Sequence, residues 1–381
     1  MIYLDNAATS WPKPVEVREQ MQEFLISYGG NPGRGGHASA LQASRAIYGV
    51  REQIAEFFGV DNPRKIVFTG NATQAINQAL FGLLKPGDHV ITTSLEHNAV
   101  SRPLWTLTAR GVEVTEIPVS PDNEFPWAEL DKAFQKNTKL VVTLHASNVT
   151  GTLLPIERIG EAAHLHDVPY LVDAAQTAGV FPLDLGKLPI DMLALPGHKG
   201  LFGPQGTGAL ILNKEISLIP LMYGGTGSLS ELDRQPDFLP DALESGTLNG
   251  VGIVGLGAGI GYVQQHGLNA IRLREQELCQ RLIDGLQNIV GIKLYGGTQA
   301  AKKAPIVAFN LGDIDSTVVG FALEQVAGII ARAGLHCAPH AHATLGTTDQ
   351  GVVRFSPSHF TTEEEIDQAV EAVVQVAKEM L

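Results

Sequence analysis

The feature that most constrains the fold is an alternation of short apolar runs with longer amphipathic stretches between residues 60 and 215. The apolar runs have the length of buried strands and read KIVFTG, HVITTS, GVEVTEIPV, KLVVTLHA, PYLVDAA, MLALPG and GALILN. Between several of them, residues 72–83, 98–110 and 156–166 have the length and pattern of helices. Strands that alternate with helices predict a mainly parallel, seven-stranded sheet with helices on both faces.

The 381 residues are long enough for an N-terminal arm and two domains. Residues 16–250 are predicted to form a large α/β domain. Residues 251–381, with shorter strands and a last helix that begins in a capping box of Thr362 and Glu365, are predicted to form a smaller α+β domain. Residues 1–15 are predicted to be an arm that joins this smaller domain.

Charge and composition exclude several classes of protein. Lys and Arg number 27 against 40 Asp and Glu, which disfavours direct binding to a phosphate backbone. The start has no signal-peptide pattern, and the longest apolar stretch, 251–263, is too short to cross a membrane. We therefore expect a cytoplasmic protein without membrane contact. Two cysteines cannot build a disulfide framework.

Two strands are predicted to end in side chains that suit a covalently bound cofactor. Asp173 ends PYLVDAA, and Lys199 follows MLALPG, at the sheet edge where ligands bind in open α/β folds. A buried lysine is costly unless it is paired or bonded, and a Schiff base with pyridoxal phosphate removes that cost. An aspartate opposite would keep the ring nitrogen protonated. On these two residues alone, a simple Asp173–Lys199 ion pair explains the pattern equally well.

Three further strand ends carry polar groups. Ala72 and Thr73 open a helix in FTGNATQAIN and could bind a phosphate, although ordinary capping gives the same pattern. His97 of SLEHNAV could stack on a flat ring and move protons, although a lone histidine is more often simply packed. Asn148 of HASNVTG suits a hydrogen bond to a ring hydroxyl or a substrate carboxylate. Five strand ends thus present polar groups to one edge.

Ten motifs between residue 3 and the end of the chain carry a resemblance to a known family. They are LDNAAT, GNPGRGGH, FTGNATQAIN, LEHNAV, ASNVTG, VDAAQ, GHKG, ESGTLN, RAGLHCA and VRFSPSHFTTEEEID. With them the chain resembles the pyridoxal-phosphate cysteine desulfurases of the class V aminotransferase group, a group that also includes selenocysteine lyases. The resemblance implies fold type I architecture, pyridoxal 5'-phosphate as cofactor, an obligate homodimer and a cysteine that forms a persulfide.

The resemblance also implies roles for single residues. Lys199 would be the Schiff-base and catalytic lysine, Asp173 the partner of the pyridinium nitrogen, Gln176 a donor to the ring hydroxyl and His97 the catalytic, stacking histidine. The remaining cofactor-binding residues would be Ala72, Thr73, Asn148, His198 and, from the second subunit, Thr247. The substrate carboxylate would be bound by Arg354, through a bidentate pair, with Arg332 and Asn148 nearby.

Cys337, in RAGLHCA, falls on the family's nucleophile. The resemblance implies that its thiolate attacks the sulfur of L-cysteine, leaving an enzyme persulfide and L-alanine, and that the sulfur then passes to an acceptor protein. The short stretch between Cys337 and Arg354 limits the swing of the thiol, so we expect a sheltered persulfide. Cys279, inside REQELCQRL, is predicted to be a core residue.

Some features depart from this pattern or allow other interpretations. Many relatives have a phosphate-binding serine two residues before the lysine, whereas this chain has Gly197, preceded by Pro196. The segment 336–342 contains His336, Cys337, His340 and His342 and resembles a metal cluster, but we predict no metal because Cys337 already has a role. GVGIVG matches the dinucleotide fingerprint but follows a turn, which favours a close-packed helix.

Other functions remain open at this point. L-Selenocysteine is a possible substrate, and a selenocysteine lyase, a cystine C–S lyase or an aminotransferase could use the same scaffold, with Cys337 only structural. A nicotinamide-dependent oxidoreductase would depend on GVGIVG alone and is the weakest alternative.

Overall fold

The computed structural model describes residues 1–28, 30–33, 36–120 and 125–381, so two residues of the GNPGRGGH motif, Arg34 and Gly35, lie outside it. The strands are β1 (Ile2–Tyr3), β2 (Ile66–Thr69), β3 (His89–Thr93), β4 (Glu113–Ile117), β5 (Thr138–Leu144), β6 (Tyr170–Asp173), β7 (Met192–Pro196), β8 (Gly208–Leu212), β9 (Ile292–Tyr295), β10 (Val307–Leu311), β11 (Ile329–Ile330), β12 (Arg332–Gly334) and β13 (Val352–Phe355).

The helices follow the same chain order. They are α1 (Val15–Glu23), α2 (Ala38–Phe57), α3 (Ala72–Leu83), α4 (Asn98–Thr108), α5 (Trp127–Ala133), α6 (Ile156–Leu165), α7 (Gly250–His266), α8 (Leu268–Leu286), α9 (Ser316–Ala327), α10 (Pro339–Leu345) and α11 (Glu363–Met380). A π-helical turn at Phe24–Tyr28 extends α1, and Pro63–Lys65 and Ala300–Lys302 are short 3-10 helices.

The large sheet confirms the predicted fold class. Within the described residues it has seven strands in the order β2-β8-β7-β6-β5-β3-β4, and they correspond to the seven apolar runs. Only β8 runs antiparallel to its neighbours β2 and β7. The connection 197–207 contains no helix, and a parallel return would need a longer crossover.

Helices cover both faces of this sheet because successive strand residues point in opposite directions. Val141 and Val142 of β5, for example, belong to different cores. The Val141 side packs against α2, α6 and α7, and the Val142 side packs against α3 and α4. The two-faced burial explains why the central strands read as continuous apolar runs instead of alternating ones.

Helix α7 confirms the interpretation of GVGIVG as a close-packed helix. Asn249 caps it, and its Oδ1 accepts the Gly252 N–H at 3.0 Å. A side chain at Gly255 would press on Met21, and one at Gly259 would collide with the backbone at Leu201. Because α7 packs on α1 and α2, the core of the large unit continues past residue 250, and a domain boundary at that residue stays a proposal.

The C-terminal part contains a second, antiparallel sheet of order β12-β13-β10-β9 among the described residues. Helices α8, α9 and α11 pack on it around Leu282, Phe309 and Val373. The N-terminal strand β1 pairs in parallel with β11. Residues 329–334 form two strands and not one continuous strand, because β11 pairs with β1 whereas β12 pairs with β13.

The predicted capping box at the start of α11 is present: Thr362 Oγ1 accepts the Glu365 N–H at 3.1 Å, and Glu365 Oε2 accepts the Thr362 N–H at 2.9 Å. Across the described residues, no helix is both long and apolar enough to span a membrane.

Candidate active site

A cavity of about 220 Å³ lies at the carboxyl ends of the parallel strands, where β13 and the loop after β12 approach them. Most residues predicted from the sequence as site residues line it. They are Ala72, Thr73, His97, Asn148, Asp173, Gln176, His198, Lys199, Arg332, Cys337 and Arg354. Thr247 is the exception.

Lys199 has an unbonded amine in this cavity. Among the described residues, its Nζ has no hydrogen-bond or ion-pair partner, although its carbonyl accepts the Ser10 hydroxyl at 2.9 Å. Burial, together with the charge of Arg354, lowers the pKa of Lys199 to about 8, while Asp173 opposes the shift. The predicted ion pair between Asp173 and Lys199 is therefore not formed in this structure, which removes the simplest alternative to a reactive lysine.

Asp173 is buried at the end of β6, with one oxygen bound and one open. Its Oδ1 accepts the N–H of Ala175 at 2.8 Å, whereas its Oδ2 has no partner among the described residues. Burial raises the pKa of Asp173, against the opposing effects of the Ala175 N–H and the Lys199 charge. An open oxygen on a buried carboxylate suits a cationic N–H donor. Gln176 lies next to it and donates from Nε2 to Ala7 O at 3.1 Å.

The start of α3 provides two backbone donors. Asn71 caps the helix by accepting the Gln74 N–H at 2.8 Å, which leaves the N–H groups of Ala72 and Thr73 unbonded within the described part of the chain. His198 lines the same cavity, and burial lowers its pKa to about 4, so its ring is neutral. A helix N-terminus with free N–H groups favours an anion such as phosphate.

Gly197 has a packing reason for lacking a side chain. A Cβ at this position would collide with Oγ1 of the buried Thr207 and would lie 3.1 Å from Leu256. The Thr207 hydroxyl itself donates to Pro204 O at 2.6 Å. A serine at this position therefore does not fit without movement of Thr207, whereas the Ala72 and Thr73 N–H groups remain open at the cavity.

His97 caps α4, and this contact fixes its tautomer. Its Nδ1 accepts the Ala99 N–H at 3.0 Å, which places the proton of the neutral ring on Nε2. Burial, with the charges of Lys199 and Arg354, lowers its pKa to about 4. The preceding Glu96 accepts the Leu144 N–H at 3.0 Å and thereby holds the ends of β3 and β5 together.

Arg354 is 2% exposed and already has partners for both terminal nitrogens. Its Nη2 donates to Asp5 Oδ1 at 2.8 Å and its Nη1 to Asn148 O at 2.7 Å, whereas its Nε is buried without a partner. Arg332 donates to Asp5 Oδ2 at 3.2 Å and is half exposed. A bidentate carboxylate at Arg354 would therefore have to displace Asp5 from Nη2.

Asn148 points its amide towards the cysteine loop. Its Nδ2 donates to His336 O at 2.7 Å, and its buried Oδ1 has no partner in the described structure. An open acceptor suits a hydroxyl donor better than a carboxylate. Of the two uses predicted for Asn148, the geometry favours the ring hydroxyl.

The loop that carries Cys337 is strained and tethered. His336 and Cys337 have φ values of +48° and +55°, a left-handed conformation that costs non-glycine residues about 1–3 kcal/mol each. Besides the Asn148 contact to His336 O, two hydrogen bonds hold it: the Asn98 N–H donates to Cys337 O at 2.8 Å, and His336 Nε2 donates to Val352 O at 3.0 Å. The Cys337 side chain is exposed at the cavity. The described residues of this chain therefore do not cover the thiol, in contrast to the prediction of a sheltered persulfide.

The other cysteine and the remaining histidines have structural surroundings. Cys279 is 1% exposed inside α8, which confirms the prediction that it is a core residue, and burial raises the pKa of its thiol. His340 pairs with Glu116, and His342 contacts Thr347 Oγ1 at 2.8 Å. No group of three possible metal ligands occurs in the parts of the chain that are described.

Thr247 lies outside the cavity, on an exposed loop. Its Oγ1 accepts from Asn31 Nδ2 at 3.4 Å. The loop is anchored three residues earlier by Glu244, which forms a buried bidentate pair with Arg51 at 2.8 and 2.9 Å and accepts the Phe68 N–H at 2.6 Å. Thr247 therefore does not contribute to the cavity of this chain.

Sequence reasoning assigned no role to two residues of the site. Asp5 bridges Arg332 and Arg354, and His336 lines the cavity and anchors the loop. The LDNAAT motif contained the signal for Asp5, but nothing in the sequence indicated which side chain its carboxylate meets. The partners of His336, Asn148 and Val352, are also far from it in sequence.

Comparisons with known proteins agree with this architecture. The sequence pattern of the family described as aminotransferase class-V matches residues 2–369. A probable cysteine desulfurase from Methanothermobacter thermautotrophicus is 35% identical, covering 99% of this chain and 94% of its own. The cysteine desulfurase IscS of Pectobacterium carotovorum is 35% identical, with 98% and 91% covered.

Solved structures give the same result. The apo cysteine desulfurase of Thermococcus onnurineus NA1 superimposes with a TM-score of 0.92 at 31% identity, covering 100% of this chain and 95% of its own. The cysteine desulfurase CsdA of Escherichia coli has a TM-score of 0.89 at 28% identity, with 100% and 95% covered. With a family match over most of its length and relatives of this identity, the chain belongs to the cysteine desulfurases of the class-V aminotransferase family.

Proposed function

We propose that this protein is a pyridoxal-phosphate-dependent cysteine desulfurase that converts L-cysteine to L-alanine and receives the sulfur as a persulfide on Cys337. One observation carries the proposal. The cavity that holds the unbonded amine of Lys199 also holds the exposed thiol of Cys337 and two arginines. A lysine that moves protons and a thiol that takes sulfur thus face the same small volume.

The residues present fit pyridoxal 5'-phosphate. Asp173 offers an open buried oxygen for the ring nitrogen, Asn148 an open acceptor for the ring hydroxyl, and the Ala72 and Thr73 N–H groups are free for the phosphate. Lys199 has an unbonded Nζ for the covalent link. When bound, this cofactor supplies an electron sink for the bond changes at the substrate's α-carbon.

The positive side chains around the cavity support binding of an amino-acid carboxylate. Arg354 has an unpartnered Nε, and Arg332 is half exposed. Asp5 holds both guanidinium groups in position in the absence of substrate. We infer that the substrate carboxylate takes the place of Asp5 on Arg354, because a bidentate contact needs two nitrogens on one edge of the guanidinium.

Lys199 and His97 have different roles: Lys199 transfers protons, and His97 donates a hydrogen bond. A pKa of about 8 leaves a substantial neutral fraction of Lys199 near that pH, so its Nζ can accept a proton from the substrate and return it. His97 stays neutral and keeps its proton on Nε2, which makes it a hydrogen-bond donor to a ring or sulfur acceptor.

Cys337 completes the transfer. Its thiolate forms a bond to the substrate sulfur while the carbon–sulfur bond breaks, and the released electron pair is protonated to give alanine. The tethers at Cys337 O and His336 O hold the thiol at the mouth of the cavity without covering it. An exposed persulfide can be passed to an acceptor protein, which we propose as the partner.

The proposal includes a homodimer. Thr247 is exposed on an anchored loop and does not line the cavity of its own chain, which supports a role at the phosphate of a second subunit. Exposed apolar side chains of the preceding segment would be covered in such a dimer. They are Leu221, Met222, Tyr223, Leu229, Leu232 and Phe238.

We also propose a cytoplasmic location for the protein. The division of the chain into an arm of residues 1–15, a large domain of residues 16–250 and a small domain of residues 251–381 is a further proposal.

The test is mass spectrometry of the protein after treatment with L-cysteine in the presence of pyridoxal 5'-phosphate. We expect one additional sulfur on the Cys337 peptide and equimolar alanine in solution. Cys337→Ser should abolish both the added sulfur and sulfane-sulfur release, whereas the matched control Cys279→Ser should retain both. Alanine and sulfane sulfur at the wild-type rate from Cys337→Ser would refute the persulfide. Retained turnover of selenocysteine alone would favour a lyase.

A further inference from the structure

A second, smaller cavity lies directly behind Lys199. It has a volume of about 30 Å³, and Ala7, Gln176 and Lys199 line both this cavity and the active-site cavity. Its other walls come from the N-terminal segment, the loops after β6 and β7, the segment before β10, the loop after β13 and helix α8. The smaller cavity is therefore placed between the catalytic lysine and the C-terminal part of the molecule.

Glu275 of α8 lines this cavity with a carboxylate that is only half satisfied. The residue is 5% exposed, and its Oε1 accepts the His359 N–H at 3.2 Å. Its Oε2 is buried and has no hydrogen-bond partner in the described structure. No Lys, Arg or His of the described residues forms an ion pair with it. A buried carboxylate oxygen without a partner is costly, so it requires a further ligand.

The size and walls of the cavity indicate which ligand fits. A water molecule needs roughly 10–15 Å³ of such volume and two to four polar contacts. Besides Glu275, the walls include the polar side chains of Asn6, Ser10 and Ser358. Ser10 donates its hydroxyl to Lys199 O at 2.9 Å. The space therefore accommodates one water, and a larger ligand does not fit.

We propose that this cavity binds one ordered water molecule, that Oε2 of Glu275 is its principal partner, and that Glu275 is a positioning residue for Lys199. The water joins α8 and the loop after β13 to the segment that carries the lysine. The role toward Lys199 rests on the proposed function, whereas the water site itself does not.

The electrostatics of the site agree with a neutral, hydrogen-bonding Glu275. Burial raises its pKa to about 8, with the His359 N–H opposing the shift. The titratable residues around it are Lys199 across the cavity, His359, whose N–H it accepts, and Cys279, one turn along the same helix. A protonated carboxyl can donate to water from one oxygen and still accept the His359 N–H on the other.

The first experiment is a high-resolution crystal structure of the wild-type protein. We expect one water in this cavity, within hydrogen-bond distance of Glu275 Oε2 and of at least one of Ser10 and Ser358. A dry cavity, or a water that contacts none of these groups, would overturn the proposal. This result is independent of any variant and of catalysis.

The second experiment compares Glu275→Gln, Glu275→Leu and, as matched control, Glu277→Leu on the exposed side of the same helix. The readout is the pH dependence with which Lys199 binds added pyridoxal 5'-phosphate, followed by absorbance. We expect Glu275→Gln to behave like the wild type, because the amide retains the acceptor and the water. Glu275→Leu should shift the midpoint by at least about half a pH unit, since it removes the water behind the lysine.

A Glu275→Leu protein with the same midpoint as the wild type and Glu277→Leu would show that Glu275 does not position Lys199. If Glu275→Leu does not fold, Glu275→Met takes its place with the same expected shift, and an unchanged midpoint in that variant overturns the role. If the wild type makes no alanine from cysteine while these results hold, the proposed function fails and the water site stands.

Discussion

Two regions of this molecule each combine a lysine with a cysteine, and only one of them has the features of a reaction site. The active-site cavity holds Lys199 and Cys337. The core of the C-terminal part holds Lys303 and Cys279, which interact electrostatically. Burial lowers the pKa of both lysines to about 8, so the shift itself does not distinguish the two regions.

The difference lies in the partners of the reactive atoms. Lys303 donates from Nζ to Tyr295 O at 3.3 Å and to Gly297 O at 3.4 Å, and Cys279 is enclosed in α8. In the active-site cavity, Lys199 Nζ has no partner within the described chain and Cys337 is exposed. A perturbed pKa therefore indicates a functional site only when the atom concerned also faces open space.

The largest expected effect separates the two lysines by activity. Lys199→Ala removes the amine that we propose as proton carrier, and loss of such a group typically lowers rates by ~10² to 10⁴-fold or more. Lys303→Met should keep most of the wild-type rate, because among the described residues its Nζ hydrogen-bonds only to the carbonyls of Tyr295 and Gly297, away from the active-site cavity. The measurement is alanine formation from L-cysteine with pyridoxal 5'-phosphate supplied. Comparable losses in both variants would remove the distinction.

A smaller effect separates the two regions by stability. Lys303 has a folded-state pKa of about 8 against an ordinary value of 10.5. Below pH 8, protonated Lys303 therefore has a free-energy cost that lowers the stability of the folded protein. That cost, roughly 3 kcal/mol, disappears as pH rises from 8 to 10.5, because the unfolded chain then holds more protons than the folded one. Wild-type stability should therefore rise relative to Lys303→Met across this window, as measured by denaturant unfolding. Parallel curves for the two proteins would contradict the assignment.

The smallest effect concerns a side-chain contact of helix α10, the helix that follows the reactive thiol. His340 of α10 contacts Glu116 of β4 at 2.5 Å, and both side chains are well exposed. An exposed contact of this kind contributes at most about 1 kcal/mol, so Glu116→Gln should speed alkylation of Cys337 less than about fivefold. Glu157→Gln, on the exposed surface of α6, serves as the control. A change of about a hundredfold would mean that this pair closes the loop over the thiol.

Much of the site was predictable from the sequence because parallel strands place their carboxyl ends at one edge. The positions of Asp173, Lys199, His97 and Asn148 follow from that rule, and all four line the cavity. The contrast between Cys279 and Cys337 was predictable for a similar reason. One cysteine lies in a helical apolar pattern, whereas the other follows a glycine-containing strand end.

Other features could not be predicted, because they depend on pairs of residues that are distant in sequence. Asp5 meets Arg354 across 349 positions, and this contact decides which guanidinium nitrogens are open. Gly197 lacks a side chain because Thr207 occupies the space, which no local pattern shows. The exposure of Cys337 and the half-satisfied carboxylate of Glu275 also arise only when the two parts of the chain pack together.

The sequence by itself determined the order of strands and helices, the parallel α/β class and the strand ends that carry chemistry, because hydrophobic periodicity and turn residues are local properties. Only the tertiary structure decided which of those side chains keep a free atom. Hydrogen bonds and ion pairs at the cavity join β6, β13, α8 and the N-terminal segment, and their geometry is set by packing over the whole chain. The two cysteines illustrate both levels: local pattern separated them, and the fold gave one of them an open surface beside Lys199.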